Sequence, residues 1–211
     1  MEQEAAAQTY RRILEVDPDF VPAIQGIREI DAMEERWEQV IEMLEREFDL
    51  VGLDDEERRV ELHMEQARVW RDFRDEPAEA LRHYADVLEA HPEHGEALAR
   101  AEELLEVDEV ARRVALLIEP LLRDSQQLGR LAGALEARLR VCQDEFEEQE
   151  ILEELVPLYV DRLEQPEAAF PRAARRFELD ASNERRWDEL EALAAELDRW
   201  PRVEELFVAW A

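Results

Sequence analysis

The feature that most limits the fold is a spacing that recurs along the chain. Residues 4–30, EAAAQTYRRILEVDPDFVPAIQGIREI, return 74 residues on, so that Ala6, Tyr10, Leu14, Pro18 and Ala23 answer to Ala80, Tyr84, Leu88, Pro92 and Ala97. A third copy at 167–190 lies 89 residues beyond the second and aligns Ala80 with Ala169, Leu81 with Phe170, Leu88 with Phe177 and Leu98 with Trp187. The segment before it keeps the same shift, matching Val69 with Leu158, Trp70 with Tyr159 and Pro77 with Pro166. Apolar residues four apart, stopped by proline and resumed a few residues later, read as helix, break, helix. A unit of this kind buries one face only when another stacks on it, so the chain must form an array with its core running lengthwise.

A second spacing recurs independently. RWEQVIEMLE (36–45) matches RWPRVEELF (199–207), pairing Trp37, Val40 and Leu44 with Trp200, Val203 and Phe207, and a weaker copy places Leu128, Leu131 and Leu135 in those positions. The Trp set therefore reads as core between stacked helices.

Composition agrees with helices throughout. Apolar residues are 46% of the 211, which is too many for a disordered chain. Five Gly, two Ser and one Thr leave little turn material, while Ala, Leu, Glu and Arg are strong helix formers. Twelve helices are predicted, near 3–15, 19–33, 35–49, 55–73, 77–90, 94–105, 108–123, 126–142, 145–164, 166–179, 183–197 and 201–210. Pro77, Pro166 and Pro201 suit first turns, and Pro18 and Pro92 stop helices. Asp54 with Glu57 reads as a capping box, Ser125 and Ser182 as N-terminal caps, and Pro120, Pro157 and Pro171 as kinks. VARRVALLIEPLLRD (110–124) is the extra helix that lengthens the second interval.

The formal charge is −30, from 56 acidic and 26 basic residues, and every basic residue is Arg. Such a surface repels phosphate backbones, which argues against nucleic acid and for a basic partner. No apolar run nears the roughly 20 residues of a membrane helix, so no membrane contact is expected. The single Cys142 excludes an internal disulfide and, with no signal sequence in MEQEAAAQTYRR, suits a cytoplasmic setting.

MEQARVWRDFRDEPAEALRHYADVLEAHP (64–92) resembles a tetratricopeptide repeat, two antiparallel helices ending in proline. Ala80, Tyr84, Leu88 and Pro92 stand where that family places Ala, aromatic, Leu and Pro. Gln66-Ala67-x-x-Trp70 and Leu155-Val156-x-x-Tyr159 stand where it places Leu-Gly-x-x-Tyr. Val87 replaces the usual Ala, Val156 the Gly, and Ala173 the aromatic of the last copy; 94–142 diverges most. The arrangement is similar to long, divergent tetratricopeptide proteins of GC-rich bacteria such as myxobacteria. The resemblance implies one right-handed α-solenoid of stacked antiparallel hairpins over 1–211. It also implies a concave surface lined by the first helix of each pair. By position, that surface takes Glu61, Met64, Arg68 and Arg71 from one helix and Glu150 and Glu153 from a later one. It would hold a peptide or protein segment, Glu attracting basic residues and the two Arg clamping a carboxylate. The array opens on what reads as a second helix and closes on VEELFVAWA, leaving Phe207 and Trp210 exposed. A piece of a longer array is therefore expected, or self-association through open ends as a spacer.

Few residues suggest chemistry. With no Lys there is no phosphate-loop lysine or Schiff base, and no glycine-rich loop is present. Cys142 ends a helical run and reads as an idle thiol. His91 and His94 bracket Pro92, with Glu93 and Glu96 near, and are the candidates for a metal site or, beyond that, a metal-dependent hydrolase. Polar bend residues need no ion, so no metal, cofactor or enzymatic activity is expected. His63 reads as part of a helix face.

Overall fold

The computed structural model describes the backbone of residues 2–210 and the side chains of residues 3–209. Among these residues there are twelve α-helices and no strand. They pack as two units, Met1–Ala101 and Glu102–Ala211. The first holds α1 (Glu2–Val16), α2 (Val21–Met33), α3 (Trp37–Leu50), α4 (Glu56–Asp72), α5 (Pro77–Ala90) and most of α6 (Gly95–Glu103). In the second, a 3₁₀ turn (Leu104–Glu106) leads into α7 (Asp108–Asp124) and α8 (Leu128–Val141). Then follow α9 (Glu145–Pro157), a π-helical turn (Leu158–Arg162), α10 (Pro166–Leu179), α11 (Glu184–Leu197) and α12 (Trp200–Trp210). Packing runs in chain order inside each unit, α1 on α2 on α3 on α4 on α5 and α7 on α8 on α9 on α10 on α11 on α12, which is the all-α solenoid arrangement.

Two kinds of join alternate. One kind ends a helix on a left-handed residue that is not glycine: Glu35, Asp75, Gln126, Glu164 and Asp198, with φ of 54–56°. After Glu35, Gln126 and Asp198 the next N–H reaches back five residues, from Arg36 to the carbonyl of Asp31, Gln127 to Leu122 and Arg199 to Ala194, at 2.8–2.9 Å. After Asp75 and Glu164 it reaches back six, from Glu76 to Trp70 and Gln165 to Tyr159. These two groups are the two sequence registers: 35, 126 and 198 are the Trp37 spacing, and 75 and 164 are the Trp70–Tyr159 spacing. The α7–α8 pair, in the stretch whose sequence diverges most, therefore closes like the others.

The other kind of join is extended and restarts the next helix on a side-chain cap. Asp55 accepts from the Arg58 N–H, His94 Nδ1 from Ala97, Asp144 from Glu147 and Asn183 from Arg185. The cap of α4 is thus Asp55 rather than Asp54, and no capping box forms, because position three after it is Arg58 and not Glu. Ser125 does not start a helix either. It ends α7, and its hydroxyl donates to the Leu121 carbonyl at 2.7 Å. Ser182 donates to Asp180 beside the true cap, Asn183. α7 and α10 continue through Pro120 and Pro171, whereas at Pro157 the winding changes from α to π.

Burial follows the repeat. Ala23 and Ala97 are fully buried, as are Ala80 and Ala169, and Leu88 and Phe177 occupy the same core position. Trp37 stacks on Phe73 at 3.7 Å and Trp187 on Phe207 at 4.4 Å. Phe207 is therefore partly buried within its unit, while Trp200, at 43% exposed, is the Trp that departs from the core reading. The Trp210 side chain lies outside the described residues. Gly26 lets the Tyr10 ring approach closely, since a Cβ there would come within 2.4 Å of that ring and displace it.

A left-handed backbone costs a side chain-bearing residue roughly 1–2 kcal/mol, and glycine's extra unfolded freedom takes back about 0.5–1 kcal/mol. Gln126 is exposed at such a position. Gln126→Gly should raise stability by up to ~1 kcal/mol, and Gln126→Val should lower it by more than ~1 kcal/mol, both read from urea denaturation midpoints.

Candidate binding groove and an unexpected histidine cluster

On α4, Leu62, Gln66, Ala67 and Val69 are buried. Met64, Arg68 and Arg71, at helical spacings of four and three, share a different face. With Glu96 and Arg100 of α6 and the buried Tyr84 behind them, these three line a hollow of about 260 Å³. A second hollow of about 270 Å³ lies between α2, α3 and α4, with Arg28, Ala32 and Trp37 in its wall. The two share Glu65 and Arg68, so one face runs across α2, α4 and α6 within the first unit.

The charges along this face are unevenly committed. Glu47 of α3, 1% exposed, accepts from Gln25 Nε2 at 2.7 Å, Arg28 Nη1 at 2.8 Å and Arg58 Nη2 at 2.7 Å. Arg28 also reaches Glu65 at 3.2 Å, and Arg71 Nε donates to Asp72 at 2.7 Å. Arg68 is exposed, lies where the two hollows meet, and makes no ion pair among the described residues. The structure thus brings Met64, Arg68 and Arg71 together. Glu61 is outside both hollows and is bonded to Arg58 at 2.5 Å. In the second unit Glu150 is exposed, and Glu153 is a counter-charge of two buried arginines, Arg186 at 2.7 Å and Arg176 at 3.3 Å, which also pair with Asp180 and Glu189. A larger hollow, about 540 Å³, opens among α1, α2 and α3 over Leu14, Ile27 and Met43; its walls share no residue with the groove, and no sequence signal marked it.

His91 and His94 are both engaged elsewhere. His91 Nε2 lies 3.1 Å from Glu56, and His94 Nδ1 caps α6. His83 is instead buried against His63, Nδ1 to Nδ1 at 3.1 Å, with Asp86 Oδ2 3.7 Å from His63 Nδ1. Among the described residues this is the one gathering of three metal-ligating side chains. Sequence reading missed it, although a signal existed: the two histidines stand ten residues either side of Phe73, where the α4–α5 hairpin turns. Burial, then the Arg82 charge, then His63, push the His83 imidazole down to about 3. Burial also lowers His63, against the pull of Asp86.

No family model matches the chain, and no curated protein matches it in sequence. Its structure is similar to the crystal structure of BtubC (BKLC) from P. vanneervenii, at 16% identity and a TM-score of 0.33, over 97% of this chain and 85% of that one. A superposition that loose carries no argument. The class of this protein, a helical repeat of stacked antiparallel hairpins, rests on its own joins and register. No helix of the described residues is long and apolar enough to cross a membrane.

Glu47→Ala strands three donors in a buried position. It should cost about 3 kcal/mol, the lower end for a broken buried pair because Arg58 still reaches water, as read from thermal unfolding. His83 predicts a pH dependence. An unfolded histidine titrates near 6.5 and the folded one near 3, so the unfolded chain takes the proton first. The stability this group supplies is complete above pH 6.5 and is lost as pH falls toward 3. Urea midpoints across that range should fall more steeply for the natural chain than for His83→Gln.

Proposed function

We propose that the protein is a non-enzymatic scaffold, a tetratricopeptide-like array of the kind found in long, divergent repeat proteins of GC-rich bacteria, acting in the cytoplasm. It holds a peptide or protein segment on the α2–α4–α6 face. The observation that carries this reading is Arg68, an exposed guanidinium with no ion pair among the described residues, at the junction of two contiguous hollows. An elongated, partly apolar surface with Met64 and Trp37 in its walls suits an extended segment, and Arg68 supplies an anchor for one of its carboxylates. Glu65 and Glu96 beside it suit a basic neighbour on the same segment. A spacer or self-associating role is the second reading, favoured by Trp200 and Val208, both exposed on α12. Light scattering over a concentration series separates it, since growth in mass that Trp200→Ser abolishes would support self-association.

The test of the groove is selection of peptides on the immobilised protein from a displayed library, followed by titration of the selected peptides. Arg68→Glu should weaken them at least about tenfold, as removal of a charge-assisted anchor does, and Glu150→Arg should leave them unchanged. Peptides bound equally well by Arg68→Glu would place the binding surface elsewhere.

A further inference from the structure

We propose that His63, His83 and Asp86 form a binding site for a divalent transition cation of the zinc type, closing across the α4–α5 hairpin. The inference stands apart from the groove reading and rests on the placement of three donor atoms. They lie within 4.8 Å of one another, with His63 Nδ1 3.1 Å from His83 Nδ1 and 3.7 Å from Asp86 Oδ2. Ligands of a four-coordinate ion with bonds near 2.1 Å stand roughly 3.4 Å apart. An ion therefore fits between the imidazoles with little adjustment, and the Asp86 carboxylate, 42% exposed, closes the third side. Two imidazoles and one carboxylate suit zinc and its neighbours rather than calcium or magnesium, which take oxygen alone. A water completes the set from the solvent side.

The two rings are held in place before any ion arrives. His83 is buried on α5, and His63 packs edge-on against Phe48 at 4.7 Å. Protons also have assigned positions. Arg82 Nη2 lies 3.1 Å from His83 Nε2, and a guanidinium can only donate, so Nε2 accepts. The His83 proton is then on Nδ1, donated to His63 Nδ1, in the space an ion would take. Ligation through Nδ1 moves that proton to Nε2, which can no longer accept from Arg82. Arg82 is half exposed and already bonded to Glu79 at 3.2 Å, so it turns toward that carboxylate. Its charge, with that of Arg59 stacked over Phe48, opposes the cation, and the cost of turning Arg82 away sets the affinity. Arg82 is thus a negative control built into the site, and its removal should strengthen binding.

Cobalt(II) is the probe, titrated into the full chain, because its visible d–d absorption intensifies on four-coordination. One equivalent should produce that band, and zinc should displace it. His63→Asn and Asp86→Asn should each weaken binding by about tenfold or more, Arg82→Gln should tighten it several-fold, and His91→Asn with His94→Asn should leave it unchanged. Far-UV circular dichroism of each variant monitors folding; should His63→Asn fail to fold, the exposed Asp86→Asn decides alone. The proposal is overturned by the absence of a band, by a band that survives Asp86→Asn, or by one that His91→Asn and His94→Asn remove. Those results would leave a hydrogen-bonded core pair, or ions held by the acidic surface at large.

Discussion

The Glu47 carboxylate is the fixed point of the first unit. It sits on α3 and takes hydrogen bonds from α2 through Gln25 and Arg28 and from α4 through Arg58, so one buried charge holds three helices in register. A buried ion pair is seldom stronger than apolar packing in its place, yet breaking one is costly. Its contribution is therefore positional. A slip of α4 by one residue, about 1.5 Å along the axis, would carry the Arg58 fork away from Glu47. Apolar contacts among Val40, Leu44, Leu62 and Val69 could re-form after such a slip, but the fork could not. The second unit uses the same device. Glu119 of α7 accepts twice from Arg138 of α8, at 2.8 and 3.0 Å, and Arg138 reaches on to Glu147 of α9 at 3.1 Å. Burial keeps the Glu119 carboxyl above its ordinary range, against the pull of Arg138.

With α4 fixed, its separate faces acquire separate roles. Leu62, Gln66 and Val69 enter the core, Met64, Arg68 and Arg71 line the groove, and His63 meets His83 on α5. The alternating joins make this possible. A tight left-handed turn after α4 sets α5 antiparallel at close range, so residues equidistant from Phe73 meet, as the two histidines do. The extended, side-chain-capped join after α5 carries the chain back so that α6 meets the face of α4 bearing Arg68.

Helix positions were legible in the sequence because proline acts locally. Pro77 and Pro166 begin helices, and Pro18 and Pro92 follow their ends, whatever the rest of the chain does. The left-handed joins gave no such signal, since Glu35, Asp75, Gln126, Glu164 and Asp198 are not glycines; only the repeat register implied them. Which of two adjacent acids caps α4, or which end of a helix Ser125 serves, depends on a hydroxyl or carboxylate reaching one N–H or carbonyl, and composition is blind to that. Of the residues assigned to a concave stripe, Met64, Arg68 and Arg71 line one hollow and Glu61 does not, for a related reason. Residues 61, 64, 68 and 71 follow one helical stripe, but pairing between helices is not written in the stripe. Glu61 is drawn to Arg58, and Glu153 is taken by Arg176 and Arg186, which lie 23 and 33 residues further on.

An acidic excess this large makes an uncommitted arginine informative. With 56 carboxylates to 26 guanidiniums, most arginines of the described residues find a partner, often on another helix, as Arg130 does on Glu102, Arg172 on Glu136 and Arg175 on Glu148. Arg68 is one of several that show no ion pair among the described residues, and it does so with Glu65 and Asp72 along the same hollow. In the proposed scaffold, two electrostatic scales would act differently on a bound segment. Beyond about 10 Å, salt screens individual charges and only the summed negative field would be felt, which would favour the approach of basic segments. At contact, the Arg68 fork would select a carboxylate, because its donors match that geometry and no acid of the described residues pairs with it. A segment that satisfies both carries basic residues flanking an acidic or carboxyl-terminal anchor. Raised salt should then slow its capture more than it hastens its release, since the screened field acts on the approach and the anchor acts on the bound state.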